Sequence, residues 1–137
     1  MILKKVNSFE EIAKIAYEKV IFKINNYEIL KEKDIKNIWE ESCIEYGKKD
    51  SIVKKGCPKN AFIGILKELN LNIQWEEKES KNAYYSRIGI NILKNNRDKK
   101  YTKQELWKEI LKELKIEKKS HNGQVDVILA LWNKNIF

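Results

Sequence analysis

Apolar residues recur at helical spacing along most of this chain, and the points where the period breaks divide it into about six helices. Ser8-Phe9-Glu10-Glu11 fits a capping box, in which Ser8 accepts the amide of the third helical residue and Glu11 reaches back. Ile12, Ile15, Ala16 and Val20 then repeat on one face, so the first helix is predicted over residues 8 to 25. A second runs from Leu30 or Asp34 to Tyr46, with Ile35, Ile38, Trp39 and Cys43 inward and Gly47 as its stop. The third begins near Cys57, because Pro58 suits the first helical position and Gly56 allows the turn before it; Phe62, Ile63, Leu66 and Leu69 form its apolar face.

Residues 70 to 81 lose the helical period. Leu71, Ile73 and Trp75 alternate with polar residues, which marks a short extended piece near residues 71–75 inside an irregular crossing loop, since so few residues make no stable sheet without a partner. A fourth helix covers about residues 82 to 95, with Tyr84, Ile88 and Leu93 or Ile92 inward. Thr102-Lys103-Gln104-Glu105 is a second capping box and starts a fifth helix carrying Leu106, Trp107, Ile110, Leu111 and Leu114. From Val125 to Trp132 the chain is at its most apolar, and this last helix is predicted to be central, with Asp126 in its first turn and His121-Asn122-Gly123-Gln124 leading into it. The fold class is therefore all-α, a compact bundle.

Composition sharpens that picture. A length of 137 residues fits one domain over residues 1–137 with a single core, and one proline and five scattered glycines supply no linker for a second. Apolar residues make up 42% and four tryptophans are present, more than a disordered chain of this charge carries. No run approaches the length needed to cross a bilayer, and Met1-Ile2-Leu3-Lys4-Lys5 lacks the apolar region of a secretory signal, so no membrane partner and a cytoplasmic location are expected. Cys43 and Cys57 are then expected as free thiols, with Cys43 a small core residue.

Chemistry, if the chain performs any, must draw on Cys57 and its only histidine, His121, each at a predicted helix start. A helix start favours the thiolate and a nearby imidazole can hold its proton, with Asn122, Gln124 or Asp126 as the orienting group. The structural alternative is a cysteine in a helix turn and a histidine beside an Asn-Gly turn, and it is the reading the residues favour. Two cysteines and one histidine, 14 and 64 residues apart, match no metal-ligand spacing, so no metal and no cofactor are expected.

The formal charge of +8 suits a negatively charged partner. Two clusters stand out for partner or phosphate binding: Lys48, Lys49, Lys54, Lys55 and Lys59 around the Cys57 turn, and Arg97, Lys99, Lys100 and Lys103 before the fifth helix. Against base reading, only Arg87 and Arg97 among 28 basic residues are arginine, and lysines are spread along every helix beside glutamates. Tyr84-Tyr85 and Trp107 can stack on bases but lie in amphipathic helices, which points to the core.

Lys55-Gly56-Cys57-Pro58-Lys59 through Phe62-Ile63-Gly64-Ile65, Lys81-Asn82-Ala83-Tyr84-Tyr85, Leu106-Trp107 and the ending His121 to Trp132 resemble a family of small bacterial and phage helical proteins. That family's pattern reads GCPK followed by FLGL, and later HNSQMDVVLALW. His121, Asn122, Gln124 and Asp126 match it, whereas Gly123 and Val125 stand for its serine and methionine, and Leu66 for its second cysteine. The resemblance brings no activity with it. With the charge, it implies a small basic protein-binding module, such as a phage or mobile-element inhibitor of a host nucleic-acid-directed defence protein, whose partner presents an acidic or nucleic-acid-binding face. Direct nucleic-acid binding, or a hydrolase or transferase using Cys57 and His121, are the competing expectations.

Overall fold

A computed structural model describes residues 8–49, 53–117, 119–121 and 123–137. Six helices are present among these: α1 Ser8–Asn25, α2 Glu32–Glu45, α3 Gly56–Glu68, α4 Lys81–Asn95, α5 Lys103–Glu113 and α6 Gln124–Trp132. The all-α expectation holds. Two residues of β1, Leu30–Lys31, pair in parallel with two of β2, Ile73–Gln74. The extended piece thus has the partner that its length requires, and burial of Leu30 and Ile73 fastens this short bridge to the core.

Local chemistry explains the boundaries. Thr102 accepts a hydrogen bond from the Glu105 amide at 3.1 Å while the Glu105 carboxylate accepts one from the Thr102 amide, completing the predicted capping box of α5. Ser80 caps α4 by accepting a hydrogen bond from the Ala83 amide. Ser8 is itself the first residue of α1, one position later than a cap. Pro58 occupies the third position of α3 rather than the first; it fits there because amides of the first turn have no helical acceptor to lose. Gly47, at φ +87°, closes α2, and the next amide, of Lys48, donates to the Cys43 carbonyl at 3.0 Å.

One core joins all six helices, built around Ile12, Trp39, Phe62, Ile90, Ile110 and Ile128. As predicted, α6 lies at its centre, packed against α1, α3, α4 and α5. Trp39 stacks at a tilt on Phe62, with ring centroids 5.3 Å apart. The α3–α4 crossing is close because Gly64 faces α4: a Cβ built there would lie 2.1 Å from the Ala83 carbonyl oxygen and 2.2 Å from the Ser86 hydroxyl. Ser86 in turn donates toward the Ala61 and Ala83 carbonyls at 2.8 and 2.9 Å.

That crossing corrects the predicted face of α4. Leu93 turns inward as predicted and Ile88 and Ile92 are half-buried against the edge of the core, but Tyr84 is 48% exposed, and Ala83, Tyr85, Ser86, Gly89 and Ile90 complete the inward face. Small residues let α4 approach α3, and an apolar count weighted by bulk selects the neighbouring stripe instead.

Candidate functional site

Several helix starts meet around Gly123. Its φ of +93° places it in the left-handed region that glycine tolerates, and a Cβ there would stand 2.9 Å from Phe9 Cδ2 and 3.3 Å from Pro58 Cβ. The start of α6 therefore touches the starts of α1 and α3. Gln124, 1% exposed, donates from Nε2 to Asn82 Oδ1 at 2.9 Å, which brings in the start of α4. The turns that carry Cys57 and His121, distant in sequence, are neighbours in space.

Neighbouring segments do not yet make a catalytic pair. Cys57 is a half-buried free thiol, and no hydrogen bond joins it to His121 among the described residues. The imidazole instead meets Trp107 edge-on, with centroids 6.0 Å apart, and its Nδ1 is buried without a hydrogen-bond partner among the described residues. Trp107 donates from Nε1 to the Lys119 carbonyl at 2.6 Å and meets Tyr85 edge-on, so His121 closes an aromatic corner. Cys43 is fully buried; burial, then the charge of Glu40, push its thiol up to about 11, which keeps it protonated.

Asp126, 7% exposed, is engaged by a lysine. Its Oδ1 lies 2.7 Å from Lys103 Nζ, which also reaches Glu10 Oε1 at 3.0 Å. One ammonium thus ties α1, α5 and α6 together at the junction. Burial works against the charge on Lys103, but the hydrogen bonds it donates to Asp126 and Glu10 outweigh it and hold its pKa above the ordinary lysine value. Asn122 lies outside the described residues.

A family model, described as a family of unknown function, matches residues 7–137. The chain belongs to DUF6979. No curated protein and no solved structure matches it.

Many of the lysines singled out in this DUF6979 chain are already engaged. Lys59 pairs with Glu40 at 3.3 Å, Lys103 is the junction lysine, and Lys55 and Lys99 lie over the rings of Phe9 and Tyr101 at 5.8 and 4.5 Å. Arg97 covers Trp132 at 5.3 Å and donates to the Phe137 carbonyl. Lys48, Lys49, Lys54 and Lys100 have no ion-pair partner among the described residues. No helix among the described residues is long and apolar enough to cross a membrane.

The DUF6979 fold also exposes a group of residues that sequence reasoning passed over. Phe22, Tyr27 and Ile29, at the turn joining α1 to α2, are 69%, 95% and 68% exposed. Tyr27 sits at φ +61°, where the Glu28 amide donates to the Lys23 carbonyl at 3.1 Å and ends α1. That position ordinarily takes glycine or asparagine, and a bulky residue there costs about 1 kcal/mol. The available signal was an aromatic directly after Asn25-Asn26, where the helical period stops and a turn residue belongs.

Proposed function

We propose that this protein is a protein-binding module whose docking surface is the α1–α2 turn. The observation that carries the reading is Tyr27: it holds a backbone conformation unfavourable for its side chain, and that side chain is 95% exposed and adds almost nothing to the core. Phe22 in the last turn of α1 and Ile29, two residues after Tyr27, are exposed as well, and apolar exposure concentrated in one segment is of the kind that marks protein contacts. A net charge of +8 speeds encounter with an acidic surface, while the three apolar side chains supply affinity. A nucleic-acid groove is itself basic and would repel this chain, so of the two expected partner faces the acidic one fits.

Truncating all three side chains removes about 1 kcal/mol each, on the order of a hundredfold in Kd together. The test is capture from native cell lysate, nuclease-treated and at low and moderate salt, comparing the wild type with Phe22→Ser/Tyr27→Asn/Ile29→Ser. A stoichiometric protein retained by the wild type and lost by the variant supports the module, and its identity decides whether the target is a nucleic-acid-directed protein, as the inhibitor form requires. Recovery of nucleic acid alone, released by moderate salt, contradicts the module in favour of direct phosphate binding. Equal capture by both proteins contradicts the assigned surface.

A further inference from the structure

The connection over residues 96–102 folds α5 back along α4 and leaves a groove of about 680 Å³ between them. From Tyr84 to Asn95 it follows three turns of α4, roughly 17 Å at the helical rise. Its floor is the stripe of Tyr84, Ile88 and Ile92, of which the two isoleucines are half-buried at the edge of the core, with Tyr101 and Leu114 opposite. Glu109 and Glu113 form the other wall. In a chain with 28 basic residues, neither carboxylate has an ion-pair partner among the described residues.

Two carboxylates and the side-chain oxygens of Asn91, Asn95 and Asn96 give this groove acceptors for a cation. Asn91 and Asn96 each donate one Nδ2 hydrogen to a backbone carbonyl, of Arg87 and Ile92, at 2.9 Å, and keep Oδ1 as an acceptor. The chain already places one cation here: Lys99 Nζ lies 4.5 Å over the Tyr101 ring at the end of the groove. Carboxylates, amide oxygens and aromatic faces suit a ligand made of donors and methylenes.

We propose that the α4–α5 groove binds an extended aliphatic polyamine. One ammonium sits near Glu109 and Glu113, the methylenes lie on Ile88 and Ile92, and Tyr84 covers the end away from Lys99. This site is separate from the α1–α2 turn and does not depend on it.

The test is titration of the full chain with spermidine, followed by calorimetry and by amide chemical shifts. Saturable one-to-one binding is expected below about 1 mM, with shifts concentrated on α4 and α5. Glu109→Gln/Glu113→Gln should weaken it at least tenfold, and Glu77→Gln/Glu117→Gln, which changes charge elsewhere by the same amount, less than twofold. Lys99→Gln should strengthen it two- to threefold by removing the resident cation. These variants alter exposed or half-buried side chains, and the amide spectrum verifies that each remains folded. Absence of saturation below about 1 mM, or equal weakening by the two double variants, overturns the proposal. So does a capped lysine tripeptide, matched to spermidine in charge, that binds as tightly.

Discussion

Replacing Lys103 with methionine removes the cation between Glu10 and Asp126 and leaves a carboxylate that is 7% exposed without its counter-ion. Losing one partner of a fully buried pair costs about 3–5 kcal/mol. Here the Lys103 and Glu10 side chains are 37% and 30% exposed, so water reaches the site and the loss should be nearer to about 2 kcal/mol. Urea denaturation at neutral pH reads this as a midpoint lower by about 1 M at unchanged m. The raised pKa of Lys103 means that its contribution is fully present below its unfolded value of 10.5 and fades only as pH rises through the folded value. Lys103→Met in an Asp126→Leu background should cost far less, because no buried charge is stranded. A single-variant loss under about 0.5 kcal/mol, or an equal loss in both backgrounds, would refute the structural role given to Asp126.

Gly64→Ala should destabilise the protein by about 3 kcal/mol, since a methyl 2.1 Å from the Ala83 carbonyl must push α3 and α4 apart and disturb the Ser86 hydrogen bonds; a change under about 1 kcal/mol by chemical denaturation would refute the close crossing. A thiol reagent at pH 8 should modify Cys57 in the native protein and reach Cys43 only after denaturation, because burial holds the Cys43 thiol protonated up to about 11; two fast thiols in the native state would contradict that. Burial opposes the charge on Glu79, yet Lys67 and Arg87 pull its carboxyl below the usual value of 4.5. Its contribution is therefore present above that value and lost as pH falls through the folded pKa, so the stability gap between wild type and Glu79→Gln should shrink toward acid; a gap independent of pH would refute the pairing.

Legibility in the sequence followed the kind of signal each element carries. The Thr102 box, the Gly47 stop and the apolar run of α6 are local, and all three stand where the pattern puts them. The inward face of α4 depends on small residues whose neighbours come from elsewhere in the chain: Ala83 and Ser86 meet Gly64 of α3, and Gly89 leaves room for Ile110 of α5 and Ile128 of α6. For the same reason the pairing of β2 with β1 was out of reach, because Leu30 and Ile73 lie far apart in sequence and are joined by the packing of whole helices. At the candidate site, the pattern marked Cys57, His121, Gln124 and Asp126 as polar groups at helix starts. That the helix starts of α1, α3 and α6 come together around Gly123, and that Lys103 captures Asp126, depends on tertiary contacts that no spacing encodes. Tyr27 was missed because its distinction is a backbone angle.

Tyr27→Asn tests the docking surface most directly when melting and capture are measured on the same preparation. Asparagine relieves the left-handed strain, so the melting temperature should hold or rise by about 2 °C, while retention of the partner protein from nuclease-treated lysate falls at least fivefold. A variant that melts below the wild type, or that retains the partner as well as the wild type does, would contradict the account.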